Sequence, residues 1–251
     1  VREQATVFGE VAELYELRRP TYPAALFAAL LEAVPGARRA LEAGAGTGKA
    51  TAALARSGLA VEAVEPDPAM AAVARRVCAG LDVTVRAGRF EEWDGEAGAF
   101  DLVVSAQAWH WVDHDAGAGV AARALRPGGA LAVWWNRPQG TRPGAAWRAV
   151  DAVYAREAPE LIDKASARAA ELPAPPADAF APWERRSFPW TRDYGAREYA
   201  ELIRTHSDHR LLEPERLDRL AAAVEEGIDA AGGRLTYAYR CDLALGRRTA
   251  G

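Results

Sequence analysis

The sequence predicts an α/β fold: a Rossmann-like seven-stranded sheet, mostly parallel, with helices on both faces and an antiparallel last strand. Three observations predict it. Short apolar strand-like runs alternate with helical runs between Arg39 and Trp135. A glycine-rich turn, Gly44-Ala45-Gly46-Thr47-Gly48, follows the first of those strands. Two period-two strands, 183–190 and 235–245, come late and read as a hairpin-like closing pair. Strands separated by helices of about ten to fifteen residues need βαβ crossovers, and crossovers make parallel sheets.

Each element has its own signal. Residues 39–43 form a short strand that runs into the glycine turn, and 49–57 follow as a helix stopped by Gly58. Residues 60–65 form the second strand, which hides Val61, Ala63 and Val64. Pro66-Asp67-Pro68 then turns the chain. Pro68 suits a helix start, where its missing N–H would have no partner anyway. That helix covers 69–79 and ends at Gly80. Residues 83–87 and 100–105 supply two more strands. The latter, Phe-Asp-Leu-Val-Val-Ser, is the near-continuous apolar run of a strand covered on both faces. A helix over 116–125 halts at Pro127-Gly128-Gly129, and 130–135 is the fifth strand. Beyond Gly140 the pattern weakens: 145–158 reads as a helix, Pro173-Ala174-Pro175-Pro176 as a loop, and 196–204 and 214–231 as helices. No repeat or linker divides the chain, so 1–251 is expected to be one domain.

Composition narrows the function. Half of the 251 residues are apolar and 26% are charged, enough for a sizeable core and too ordered a mixture for a disordered chain. The 35 acidic residues outnumber the 31 basic ones, giving a net charge of -4. Lys49 and Lys164 are the only lysines, and the arginines are scattered rather than clustered. Nucleic-acid binding needs a clustered basic face to neutralise phosphates, so no nucleic-acid partner is expected. Cys78 and Cys241 lie far apart and are expected to be inert buried thiols. No apolar run approaches the ~20 residues that span a bilayer. Residues 1–10 show neither a charged n-region nor an apolar h-region. A cytoplasmic protein without a membrane partner is expected, as a monomer or homodimer.

The glycine turn carries the chemistry. Where a parallel strand gives way to a helix, glycines let the backbone turn sharply and let a ligand approach without meeting a Cβ. The place is the crevice where open α/β sheets hold ligands. Glu65 ends the second strand, twenty-one residues after Gly44. A carboxylate there can accept hydrogen bonds from both hydroxyls of a ribose. Loop and acid together indicate a nucleoside-bearing cofactor. The spacing Gly-x-Gly-x-Gly lacks the longer dinucleotide fingerprint, and Gly48-Lys49-Ala50 is not a phosphate-cradling Walker loop.

The chain resembles the class I methyltransferases that use S-adenosyl-L-methionine (SAM), in the small-molecule branch with trans-aconitate methyltransferase-like proteins. Glu42-Ala43-Gly44-Ala45-Gly46-Thr47-Gly48 is similar to the family's SAM loop, and Val64-Glu65-Pro66-Asp67 to its second acidic motif. Gly88-Arg89-Phe90-Glu91-Glu92-Trp93 is similar to the third motif. Residues 100–105 with Ala108-Trp109-His110-Trp111-Val112 resemble the fourth strand and its loop. Leu125-Arg126-Pro127-Gly128-Gly129 resembles the turn before strand five. Phe8-Gly9, Tyr15, Arg19-Pro20 and Tyr22-Pro23 resemble N-terminal helices that fold over the cofactor, within 1–36. Thr205-His206-Ser207 and the closing strand also have a familiar pattern.

The resemblance implies SAM as cofactor and a small-molecule methyl acceptor. It implies Gly44, Gly46 and Gly48 beside the methionine portion, with Glu42 and Ser105 flanking the loop. Glu65 and Pro66 would lie at the ribose, and Phe90 and Glu91 at the adenine. Tyr15 and Arg19 would reach the amino-acid end, with Arg19 on the carboxylate. If the acceptor must lose a proton, His110 is the candidate catalytic base. Gln107, Trp109, Trp111 and Trp135 are candidate substrate-binding residues around the mouth, Trp134 lies beside them, and 140–180 is a candidate substrate cover. His206 and His209 are further polar candidates. Asp113-His114-Asp115 lacks ligand spacing, so no metal is expected. Two alternatives remain open from the residues: a nicotinamide-dependent oxidoreductase, and a SAM-binding protein that transfers no methyl.

Overall fold

The apolar runs of the sequence become the middle of a seven-stranded sheet. A computed structural model describes residues 11–140, 142–162 and 178–249. The N-terminal part holds α1 (Ala12–Arg18) and α2 (Ala24–Ala33). Then come β1 (Arg39–Ala43), α3 (Lys49–Arg56), β2 (Ala60–Glu65), α4 (Pro68–Val77), β3 (Val83–Ala87), β4 (Phe100–Ala106), α5 (His114–Ala124) and β5 (Leu125–Pro138). The remainder is α6 (Ala145–Glu157), β6 (Glu184–Gly195), α7 (Ala196–Ile203), α8 (Pro214–Ala230) and β7 (Arg234–Arg247).

The strand order is β3-β2-β1-β4-β5-β7-β6, with β1 to β5 parallel and β7 antiparallel to both of its neighbours. The order reverses between β1 and β4, so the chain leaves their carboxyl ends in opposite directions. A crevice opens there.

Side chains alternate across the sheet, and each face has its own core. Leu102 and Val104 of β4 pack with Leu26, Leu30, Leu54 and Trp134 on the side of α2 and α3. Val103, between them in sequence, joins Leu41, Phe100, Ala121 and Leu131 on the side of α5. Burying each such Val, Leu or Phe stabilises the fold by about 1.5–3 kcal/mol. A third core lies away from the parallel strands, where α6, α7 and α8 close over Trp147, Tyr194, Tyr199, Leu220 and Val224.

Three expectations are corrected. The strand β5 begins directly after α5, and Pro127-Gly128-Gly129 lies inside it as an irregularity: Phe100 pairs with Leu125 but Leu102 with Ala130. A Cβ on Gly129 would stand 2.9 Å from the Asp101 carbonyl oxygen, so the bulge needs glycine there. The strand β6 continues to Gly195, and Arg192 and Tyr194 pair with Tyr237 and Leu235. The closing pair is antiparallel but is no hairpin, because α7 and α8 lie between the two strands. Phe8-Gly9 and Pro173-Ala174-Pro175-Pro176 lie outside the described residues. Among the described residues, no helix is long and apolar enough to cross a membrane.

Candidate functional site

The loops that leave β1, β2 and β4 enclose a cleft of about 470 Å³, within the ~300–1,000 Å³ usual for small-molecule and cofactor sites. Its floor is the glycine turn. Gly44 and Gly46 have φ of 73° and 57°. The N–H groups of Gly44 and Ala45 are anchored on the Val64 carbonyl oxygen (2.9 and 3.1 Å). A Cβ on Gly44 would stand 2.5 Å from Cβ of Ala108, so this glycine keeps two walls of the cleft together. Gly48 behaves differently. It caps α3 with φ 87°, and a Cβ there would meet Ala74 and Cys78 at 3.2 Å; its place is helix packing, outside the lining.

Two buried carboxylates support the turn. Glu65 lines the cleft, its Oε2 accepting from the Gly46 N–H (2.7 Å) and its Oε1 from the Asp67 N–H (2.9 Å). Burial raises its pKa to about 7, against the opposing pull of those two bonds. Glu42 is wholly buried behind the turn, and burial raises it to about 8. Its Oε2 accepts from Thr51 Oγ1 (2.6 Å), while Oε1 has no partner. Two more buried polar atoms without partners belong to the lining itself: Arg19 Nε and Thr47 Oγ1. Unpaired buried polar groups are costly, and three clustered around one cleft mark where a polar ligand would be held.

The helix α1 roofs the cleft and is clasped from three sides. Glu13 meets Arg76 of α4 (2.6 Å), and Lys49 of α3 meets the Glu16 carboxylate (3.2 Å) and its carbonyl oxygen. Arg18 reaches Glu198 (3.2 Å) and Glu201 of α7. Tyr15 and Arg19 thereby line the cleft, and Arg19 Nη2 donates to the Thr205 carbonyl oxygen (2.8 Å). On the opposite wall, the 3-10 turn Phe90–Glu92 presents Phe90 and Glu91. Glu91 Oε1 accepts from Arg89 Nη2 and from the Asp113 N–H, both at 2.9 Å. Pro66 completes that side.

Around the mouth the tryptophans divide. Trp111 and Gln107 line the cleft. Gln107 is the one non-glycine residue with positive φ (59°) among the described residues, a strained conformation of the kind that clusters at functional sites. Its Nε2 donates to the Asn136 carbonyl oxygen (3.4 Å). Trp109 is buried against Phe90, and Trp134 against Tyr22 and Phe27; both serve as core. Trp135 donates through Nε1 to His110 Nδ1 (3.3 Å), and neither residue is part of the lining. An indole nitrogen can only donate, so the neutral His110 ring carries its proton on Nε2. Ser105 is buried, its Oγ donating to the Ala43 carbonyl oxygen (2.9 Å), and so joins β1 to β4. The described part of 140–180 contributes α6 to the third core and nothing to the lining.

The lining also contains Pro20, Tyr22, Thr47, Lys49, Met70, Arg89, Ala108 and Val112. Pro20, Tyr22, Thr47, Arg89, Ala108 and Val112 belong to the motifs quoted above without a contact of their own, and Lys49 and Met70 lie outside those motifs. Thr47 and Lys49 lie inside or next to the glycine turn, whereas Met70 enters only because of how α4 packs. His206, Asp208 and His209 bring potential ligand atoms within 4.8 Å of one another. His209, however, already engages Asp208 Oδ1 through Nδ1 (2.9 Å) and the Tyr154 hydroxyl through Nε2 (2.6 Å).

Comparison with known proteins agrees with this geometry. Residues 40–129 match a family model described as a methyltransferase domain. The chain is similar to an uncharacterized methyltransferase of Mycobacterium tuberculosis, 36% identical over 208 residues, covering 82% of this chain and 79% of the relative. A methyltransferase-like protein of Schizosaccharomyces pombe is 29% identical over 219 residues, 84% and 82% of the two chains. The fold is shared with a proposed type II methyltransferase from Anaeromyxobacter dehalogenans (TM-score 0.66, 24% identity, 91% of this chain and 97% of that one). It is also shared, over 96% of this chain and 58% of the other, with Haemonchus contortus phosphoethanolamine N-methyltransferase 2 (TM-score 0.51, 17% identity). That structure is a complex with phosphomonomethylethanolamine and S-adenosylhomocysteine.

Proposed function

The chain belongs to the methyltransferases, and from that premise we propose that it uses SAM, held in the cleft over the glycine turn, and presents the methyl group to a small molecule. One observation carries this reading: a buried carboxylate, Glu65, stands at the end of β2 beside a turn whose Gly44 and Gly46 admit no larger residue without strain. Membership of the family removes the support for a nicotinamide-dependent enzyme.

The residues fit the cofactor. Glu65 offers acceptor oxygens where a ribose would lie, with Pro66 beside it. Phe90 and Glu91 form the wall for a purine. Arg19 Nε and Thr47 Oγ1, both buried and unpartnered, suit a carboxylate and an amino group at the amino-acid end, and Tyr15 shields them. The cofactor supplies a methyl already activated on a sulfonium. The protein's task is therefore alignment, which supplies on the order of 7–11 kcal/mol of a barrier.

On the acceptor side, Gln107 offers an amide and Trp111 a ring at the mouth. His110 stands next to them, but Trp135 fixes its tautomer with Nε2 as the donor. A base role for His110 requires the indole bond to Nδ1 to open or the tautomer to exchange. A single domain over 1–251, roofed by helices within 1–36, and cytoplasmic residence with both thiols free, belong to the same reading.

Calorimetric titration with S-adenosylhomocysteine and, separately, with NADH tests it. Saturable heat with the first and none with the second is expected. Binding of NADH alone would overturn the assignment.

A further inference from the structure

Arg19 and Arg192 are neighbours, joined through the backbone oxygen of Arg19. The strand β6 alternates: Pro189, Thr191 and Asp193 are exposed, while Phe188, Trp190 and Tyr194 turn inward. Arg192 occupies that inward row, where a strand with one covered face places apolar side chains. Tyr237 is its partner on β7. The Arg192 guanidinium stands 4.6 Å from the centre of the Tyr194 ring, and its Nη1 donates to the backbone oxygen of Arg19 (3.4 Å). Arg19 lies 5.0 Å over the ring of Tyr15. Among the described residues neither arginine is ion-paired with a carboxylate, in contrast to Arg18, which meets Glu198 and Glu201.

A half-buried cation without a paired carboxylate is stabilised when an anion binds beside it. On the reading above, Arg19 serves the cofactor's carboxylate. Arg192 is then left over. It stands beside the cleft without lining it: its hydrogen bond is to the backbone oxygen of Arg19, a lining residue. The inward row of β6 also joins the mouth directly. Trp190 Nε1 donates to Asn136 Oδ1 (3.1 Å), and the same asparagine's backbone oxygen accepts from Gln107.

We propose that Arg192, framed by Tyr194 and Tyr237, docks an anionic group of the methyl acceptor, which makes the acceptor class a small carboxylate or phosphate monoester. This rests on the cofactor occupying the cleft and deepens that assignment. The two tyrosine rings give such an anion a partly desolvated setting, where one guanidinium discriminates more strongly than in water.

The test uses the full chain saturated with S-adenosylhomocysteine and ligand-observed NMR. The probes are benzoate, phenyl phosphate and benzamide, titrated into the natural protein, Arg192→Gln and Arg192→Lys. At least one anion should bind with benzamide weaker by about tenfold. Arg192→Gln should erase that preference and Arg192→Lys restore part of it, with S-adenosylhomocysteine affinity unchanged. The better anion separates carboxylate from phosphate chemistry. Equal binding of benzamide, an anion preference that survives Arg192→Gln, or an anion that displaces S-adenosylhomocysteine overturns the proposal. If Arg192→Gln does not fold, the anion-over-amide preference of the natural protein and its loss at high salt decide alone. Failure of S-adenosylhomocysteine itself to bind would instead sink the cofactor assignment.

Discussion

On the glycine-loop side of the molecule, the groups that meet the cleft are set by sheet register: backbone at Gly44 and Gly46, and a carboxylate at the last residue of β2. On the far side, α6 to α8 and the ends of β6 and β7 surround a cluster of rings. Trp147 meets Tyr199 and Tyr237 edge-on, Tyr237 stacks on Tyr239, and Tyr194 and Tyr239 join hydroxyls at 2.8 Å. The first region is short in sequence and nearly all backbone geometry. The second gathers side chains from residue 147 to residue 239. A ligand with one fixed structure is served well by the first kind of construction. Selecting among acceptors is served by the second, because its side chains can change without disturbing the strand ends.

If the two regions are separable in this way, damage to one should spare the other. The largest effect is expected for Trp147→Ala. That ring is buried, and its Nε1 donates to the Thr236 carbonyl oxygen (2.9 Å). Chemical denaturation should show a loss of about 3–5 kcal/mol, while calorimetry on the folded protein finds S-adenosylhomocysteine bound as before. A weakened affinity would break the comparison. Gly44→Val comes next. Its new side chain would collide with Ala108 in a backbone conformation that branched residues avoid. S-adenosylhomocysteine should bind weaker by on the order of a hundredfold, with the third core intact by near-UV circular dichroism.

The smallest effect is that of pH. Burial raises Glu65 to about 7 and Glu42 to about 8, so both hold protons in the folded state that they give up when it unfolds near neutrality. A raised carboxyl adds stability below its unfolded value, near 4.5, and that stability is lost as pH rises through the folded one. The melting temperature of the ligand-free protein should therefore fall between pH 5 and pH 8.5. Affinity should move oppositely, since ribose hydroxyls need an ionised Glu65. Raising pH from 6 to 8 should tighten S-adenosylhomocysteine by about tenfold. A flat affinity profile would remove the carboxylate from recognition.

The regions also differ in how far the sequence reveals them. The bounds of β1, β2 and β3 follow from their apolar runs and from the glycine and proline stops between elements. The early start of β5 was hidden because Pro127-Gly128-Gly129 reads as a halt, whereas the chain bulges and keeps pairing. The end of β6 was hidden because Arg192 interrupts an apolar row, which is the feature that gives it meaning in the folded protein. Within the site, Gly44, Gly46, Glu65, Phe90 and Glu91 are reached by local pattern. Trp109 and Trp111 are two residues apart on one short turn, yet one is core and the other lines the mouth. Spacing alone does not distinguish them, because a 3-10 turn sends successive side chains in different directions. Gly48 of the glycine loop and Ser105 of the fourth-strand motif lie outside the lining and serve packing, a distinction only the neighbours Ala74, Cys78 and Ala43 supply.

The central claim is that the carboxylate at the end of β2 grips the cofactor's sugar. Isothermal titration of S-adenosylhomocysteine into the natural protein and Glu65→Ala, each verified as folded, measures that grip. Charge-assisted hydrogen bonds contribute about 1.5–3 kcal/mol each, so the substitution should weaken binding by about a hundredfold or more. Equal affinity in the two proteins would contradict the account.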